Sequence, residues 1–358
     1  MGLMDFSIFR GAKILVTGST GFKGSWLCTW LNTLGADVSG FALPPKPDAP
    51  LFDQLKLRER IKQYDGDIRD IEAIKKVLNE VKPEIVFHLA AQSLVRYSYD
   101  EPKLTFDTNV LGAVNLLEAI RVIDSVKSLV FVTSDKCYRN KEWVWGYREN
   151  DELGGHDPYS ASKAAAELVF SSYQDSFFQK EAKVQAASAR AGNVIGGGDF
   201  SMDRIVPDCI RALGSGEEIV LRNPESTRPW QHVLEPLSGY MTIARELLIR
   251  PDDIRGAWNF GPDPENVHSV KDLAKKSIEY WGSGSLKIAG NADQPFESNL
   301  LMLNVDKSKS ILGWRARWNF DQAVKYTVQW YRRAQEGKNP IEVTEEQIQK
   351  YSDLNIND

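Results

Sequence analysis

The chain has 358 residues, 44 basic against 49 acidic, with 42% apolar and 26% charged side chains. That balance belongs to an ordinary globular protein with room for a substantial core. It argues against a disordered tail, a fibre, or a partner of nucleic acid, which would call for long basic runs.

Short β-branched apolar runs alternate with segments of helical period from Lys13 to about Arg190. This is the pattern of a parallel sheet covered by helices. Strands are expected at 13–17, 37–42, 61–65, 85–89, 129–134 and 184–190. Helices are expected at 26–34, 71–81 and 109–123, with another running from Tyr159 towards Lys180. Right-handed crossovers then give an α/β fold, a Rossmann-like doubly wound sheet with ligands at the carboxyl ends of its strands. After Arg190 a turn at Gly196-Gly197-Gly198, several prolines and shorter elements break the alternation. The expected division is a dinucleotide-binding domain over 1–190, to which some later segments return, a smaller mixed α/β substrate domain over 191–340, and a polar C-terminal tail over 341–358, frayed or a poorly packed helix. The Pro-rich stretch 41–50 and the aromatic stretch 142–147 read as loops that can touch ligands.

Cys28, Cys137 and Cys209 are scattered, with no CxxC pair, so neither a disulfide framework nor a zinc site is suggested, and no metal is expected. A reducing cytoplasm is the expected location. No apolar stretch approaches the ~20 residues of a membrane span, and the N-terminus lacks the apolar region of a signal peptide.

Gly18-Ser19-Thr20-Gly21-Phe22-Lys23-Gly24 lies between the first strand and the first helix. Glycines there let the backbone approach a pyrophosphate whose charge meets the helix N-terminus, although the spacing is GxxGxxG and not GxGxxG. The second strand ends Gly40-Phe41-Ala42-Leu43, with neither the acid that takes ribose hydroxyls nor an Arg for a 2′-phosphate. With no basic residue before Lys46, NAD is expected rather than NADP. Asp67-Ile68 can hold the adenine, the competing role being a helix N-cap at Asp67 or Asp70.

Tyr159 and Lys163 stand four residues apart, on one face of the expected helix. A cation there would stabilise phenolate and lower the tyrosine pKa from its ordinary ~10, and the ammonium can also bond the nicotinamide ribose. Ser134, at the end of the fifth strand, can hydrogen-bond a sugar oxygen while Tyr159 removes its proton.

GxxGxxG, His88-Leu89-Ala90-Ala91, Asn109, Ser134/Tyr159/Lys163 and Arg190-Ala191-Gly192-Asn193-Val194 appear in order, and over nearly its whole length the chain resembles the extended short-chain dehydrogenase/reductases that act on nucleotide sugars. The resemblance adds Leu89, Ala90 and Ala91 to the cofactor residues, and implies a homodimer built through a four-helix bundle. His88 reads as structural.

Thr133-Ser134-Asp135-Lys136 resembles the strand end of nucleotide-sugar 4,6-dehydratases, where a hydroxyl residue precedes an acid that 4-epimerases lack. Asp135 is then the acid that protonates the departing C6 hydroxyl. Lys136 stands where most of these enzymes carry a Glu that removes the C5 proton. Asp-Lys here, Ala90-Ala91-Gln92-Ser93-Leu94-Val95-Arg96 and Gly192–Asp199 are similar to the CDP-glucose 4,6-dehydratases. CDP-glucose is the expected substrate. Arg228, in Arg228-Pro229-Trp230-Gln231-His232, resembles the diphosphate ligand of the family; Asn193, Arg204, Gln92 and Arg96 complete the expected substrate contacts. Other 4,6-dehydratases, a 4-epimerase and a catalytically silent scaffold are the competing readings.

Overall fold

The structure, a computed structural model, describes residues 5–181, 183–263, 267–289 and 300–354. Seven strands form one parallel sheet: β1 (Lys13–Thr17), β2 (Asp37–Ala42), β3 (Lys62–Asp65), β4 (Ile85–His88), β5 (Ser128–Val132), β6 (Gln185–Ala191) and β7 (Gly256–Phe260). Their order across the sheet is β7-β6-β5-β4-β1-β2-β3. The order reverses at β1, so the crevice over β1 and β4 is the topological switch point where such sheets take ligands. Six of the strands fall where alternation places them; β7 comes from beyond residue 190.

Both faces of the sheet are covered. One carries α1 (Phe22–Thr33) and, from later in the chain, α6 (Leu234–Ile249) with its fully buried Leu237, Tyr240, Met241 and Ile243. The other carries α2 (Ile71–Val81), α3 (Gly112–Arg121) and α4 (Pro158–Tyr173), joined to the sheet through Leu116, Leu117, Phe131 and Phe170. The helix expected at 109–123 starts earlier: Pro102–Phe106 and a wide turn at Asp107–Leu111 run directly into α3. Pro102, with its preset φ, opens it. The described residues from Val194 to Ile288 add α5 (Ile205–Ser215), α7 (Val270–Trp281) and three two-stranded ladders, with a small core of Cys209, Leu213, Ile219, Leu221 and Ala274.

The C-terminal stretch, expected to be frayed or a poorly packed helix, is a helix, and the expected poor packing is corrected. After α8 (Phe320–Gln335), Pro340–Ser352 forms a helix, α9, capped by Asn339. Val343, Ile348 and Tyr351 are buried, Tyr351 edge-on to Trp30 of α1, and its hydroxyl donates to the buried carboxylate of Glu235 at 2.6 Å. Residues 355–358 of that stretch lie outside the described residues.

Candidate active site

The turn after β1 is shaped by backbone packing. Gly18 has φ +73°, and a Cβ on it would lie 2.7 Å from the Ala90 nitrogen at the exit of β4; one on Gly24 would lie 2.0 Å from the Gly18 oxygen. Only glycine fits either place. Gly21 is exposed, with one neighbour at 3.3 Å, and as the N-cap of α1 it offers no side chain to the first-turn N–H groups. Those groups are therefore available to an anion. The Thr20 hydroxyl is bonded to the Leu43 carbonyl at 2.9 Å, closing the turn against the end of β2. A backbone cradle at the switch point, with Leu89, Ala90 and Ala91 half-buried beside it, fits a dinucleotide pyrophosphate.

Asp70, not Asp67, caps α2, accepting from the nitrogens of Glu72 and Ala73. Asp67 is bonded through both oxygens to Arg69, and the Ile68 carbonyl accepts from Asn115. His88 is bonded to Thr17 at 2.7 Å, and burial pushes it down to about 3, so it is neutral and structural.

At the other side of the crevice Thr133 follows the end of β5, and Ser134 turns the chain into one tight turn, Asp135–Cys137. The Ser134 hydroxyl accepts from the Lys136 nitrogen at 3.2 Å and donates to Asp135 Oδ1 at 2.9 Å, while Asn193 Nδ2 donates to Asp135 Oδ2 at 3.3 Å. Asp135 is 3% exposed, and Gly192 makes its place: a Cβ there would lie 1.9 Å from Oδ2. The half-buried Lys136 side chain makes no hydrogen bond or ion pair among the described residues.

α4 presents Tyr159 and Lys163 to this turn. Asp157 caps it by accepting from the Ser160 nitrogen at 2.9 Å, Pro158 opens its first turn, and Ser98 accepts from the Tyr159 nitrogen at 3.2 Å. Asn109 ties the helix to the β4 side, donating to the Ser162 hydroxyl and accepting from the Gln92 nitrogen, both at 2.8 Å. The expected depression of the Tyr159 pKa is not found. Burial pushes the phenol up to about 12, with Ser134 pulling the other way. Burial likewise pushes Lys163 down to about 8, helped by the charge of Lys23. Lys23, half-buried in the same cleft, is itself pushed down to about 8 by burial and by Arg204. Desolvation outweighs the mutual help expected of a phenol and an ammonium.

Of the expected substrate ligands, Gln92 is bonded to its neighbours: its Oε1 accepts from the Leu94 nitrogen at 2.5 Å and its Nε2 donates to the Leu94 carbonyl at 3.1 Å and to Thr105 at 2.8 Å. Arg96 pairs with Asp203 at 2.8 Å, and Arg204 pairs with Asp199 at 2.8 Å and reaches Ser93 at 3.5 Å. Both arginines thus join the loop after β4 to the segment before α5. Arg228 lies opposite His268 in a short antiparallel ladder, donating to the Thr227 carbonyl at 2.8 Å.

The sequence reading missed the groups beneath the turn. Glu167, one helical turn past Lys163, and Arg190, near the end of β6, are both buried and paired at 2.8 Å. A charged residue inside a strand of mostly Ala and Ser was the available signal, since buried charges need partners.

The arrangement holds a phenol, a carboxyl and an ammonium around one crevice, groups suited to proton transfer on a substrate beside a bound dinucleotide. The family model described as GDP-mannose 4,6 dehydratase matches residues 15–327. A CDP-glucose 4,6-dehydratase of Salmonella typhimurium is 43% identical over 98% of each chain. A dTDP-glucose 4,6-dehydratase of Escherichia coli is 25% identical over 89% of this chain and 92% of its own. Among solved structures, dTDP-glucose 4,6-dehydratase of Bacillus anthracis in complex with NAD superposes with a TM-score of 0.74 at 21% identity, covering 92% of this chain and 99% of its own. UDP-glucose 4-epimerase of Thermotoga maritima with UDP-glucose gives 0.77 at 23%, covering 90% and 99%, so the fold alone does not separate the two reactions. With its fold, its crevice and this match taken together, the chain belongs to the GDP-mannose 4,6-dehydratase family.

Proposed function

We propose that this protein is an NAD-dependent CDP-glucose 4,6-dehydratase, converting CDP-D-glucose to CDP-4-dehydro-6-deoxy-D-glucose and water. The observation that carries the reading is the Ser134-Asp135-Lys136 turn set against Tyr159 and Lys163, in a chain similar over its full length to a CDP-glucose 4,6-dehydratase.

The turn of Gly18, Thr20, Gly21, Phe22, Lys23 and Gly24 would hold the pyrophosphate, with Leu89, Ala90 and Ala91 along the crevice and Asp67 and Ile68 towards the adenine. NAD held there would supply the two-electron chemistry, reversible hydride exchange with the sugar. Tyr159, in its phenolate form and with Ser134 beside it, would take the proton of the C4 hydroxyl, the positive charge of a bound nicotinamide offsetting the burial that raises the phenol, and Lys163 would orient the ribose. The C4 ketone acidifies the C5 hydrogen, which Lys136 removes. Asp135 gives its proton to the C6 hydroxyl, which leaves as water. A proton returned to C5 completes the product, so atoms balance. Asn193, Arg204 and Arg228 are the assigned contacts of the sugar diphosphate, with Arg96 at the rim.

A homodimer is part of the reading. Phe106, Leu111 and Leu168, on α4 and the helix leading into α3, are 39%, 55% and 62% exposed, an apolar surface suited to a four-helix interface. All three cysteines are free and buried, as suits a reducing cytoplasm. The test is product mass after incubation with NAD and, separately, CDP-glucose, UDP-glucose, dTDP-glucose and GDP-mannose. Loss of one water from CDP-glucose alone is expected; water lost from another sugar would reassign the base, and inversion at C4 without change of mass would replace the reading with an epimerase.

A further inference from the structure

Alternate residues of a strand share one face, and on β6 and its exit that series is Ser188, Arg190 and Gly192. All three address the acid-bearing turn or the helix opposite it. Ser188 donates to Glu167 Oε2 at 2.8 Å, Arg190 Nη2 donates to the same oxygen at 2.8 Å, and Gly192 leaves the space that the Asp135 carboxylate fills. The other Glu167 oxygen accepts from the Thr133 hydroxyl, the residue by which the chain enters the turn. Arg190 Nη1 donates to the Tyr138 hydroxyl at 2.7 Å, the residue by which it leaves, and Tyr138 in turn donates to Asn259 of β7 at 2.8 Å. The guanidinium also lies over the Tyr138 ring, 4.9 Å from its centre.

One buried ion pair therefore grips the turn at both ends. The Glu167 and Arg190 side chains are 3% and 4% exposed. Burial would push the Glu167 carboxyl up, but the guanidinium and the hydroxyl donors outweigh it and hold it ionised. Such a pair contributes little net stability over an apolar one, while losing either partner leaves a stranded charge, so what it supplies is a fixed geometry.

We infer that Glu167 and Arg190 are positioning residues that set Asp135 for proton delivery to the departing hydroxyl, acting on water elimination and not on nucleotide-sugar binding. The inference rests on the dehydratase reading for the name of that step. A misplacement of about 1 Å at a proton donor can cost on the order of a hundredfold in rate.

The test removes one neutral hydroxyl from each end of the grip, Thr133→Val and Tyr138→Phe, because Glu167→Gln would strand Arg190 and risk the fold. Each variant is assayed with NAD and CDP-glucose, checked by thermal unfolding, and crystallised without substrate. The expected result is kcat lowered about tenfold with KM within about twofold, reduced cofactor accumulating in its near-ultraviolet absorbance because elimination lags C4 oxidation, and Asp135 displaced from Asn193 in the variant crystal. Folded variants with wild-type kcat and an unmoved Asp135 would overturn the inference. Should the wild-type protein leave CDP-glucose unchanged, the dehydratase reading falls on that result alone, and the position of Asp135 in the variants still decides whether the pair positions it.

Discussion

At the cofactor turn, backbone packs on backbone: added Cβ atoms on Gly18 and Gly24 would meet main-chain atoms at 2.7 and 2.0 Å. At the acid-bearing turn, Asp135 is bonded to the side chains of Ser134 and Asn193, while the Glu167–Arg190 pair below holds Thr133 and Tyr138 at the two ends of the turn. The first region cannot yield without moving β1 against β4. The second can be loosened one hydroxyl at a time, so its chemistry is separable from its stability.

The sharpest break in that contrast is at Tyr159. Tyr159→Phe should lower dehydration by about 10²–10⁴-fold, the span of a lost proton-transfer group, with NAD titration and thermal midpoint close to wild type. At the rigid end the order reverses. Gly24→Ala should destabilise the fold by about 1–3 kcal/mol, as overpacking does, and weaken NAD binding with it. Gly21→Ala, whose nearest neighbour is at 3.3 Å, should cost under about 0.5 kcal/mol yet still weaken NAD binding, because its methyl would enter the anion cradle. Thermal unfolding beside NAD titration separates the two; equal losses of stability would show that the turn is not held as described.

Gly192→Ala tests the softer end. Its Cβ would start 1.9 Å from the Asp135 carboxylate, and the carboxylate should swing aside, lowering kcat about tenfold with NAD affinity kept. A separate effect is in the pH dependence of stability. Burial pushes both His88, under the cofactor turn, and His232 down to about 3. The unfolded chain binds a proton at each near 6.5, so below that pH it holds more protons than the fold. Stability is therefore full above about pH 6.5 and falls towards pH 3, by up to about 1.4 kcal/mol per pH unit for each histidine. Denaturant unfolding of wild type and His88→Asn should show a shallower acid loss in the variant; identical slopes would mean His88 is not carried neutral.

What could be read from the sequence follows the same division. Strand positions, the glycine turn and the four-residue spacing of Tyr159 and Lys163 are local, set by period and by backbone, and the structure has them in place. The packing of helix α9 was not legible, because its apolar stripe of Val343, Ile348 and Tyr351 is thinned by Glu345, Glu346 and Gln349, and its anchor Glu235 lies 116 residues away from Tyr351. The hydrogen bonds of Gln92 were not legible for a similar reason: its partners are set by the path of its loop and by Thr105 on the helix leading into α3. The direction of the Tyr159 shift needed the depth of burial, which spacing does not carry. Glu167, Arg190 and Gly192 matter through partners on other elements, and only the register of β6 against β5 brings them together.

The central claim is that the Asp135-Lys136 turn carries out elimination across C5 and C6 of a nucleotide sugar. The most direct test is the product formed from CDP-glucose and NAD in heavy water, read by mass and by the position of the label. The account predicts loss of one water and one solvent deuteron at C5. A product of unchanged mass, inverted at C4 and free of label, would contradict it.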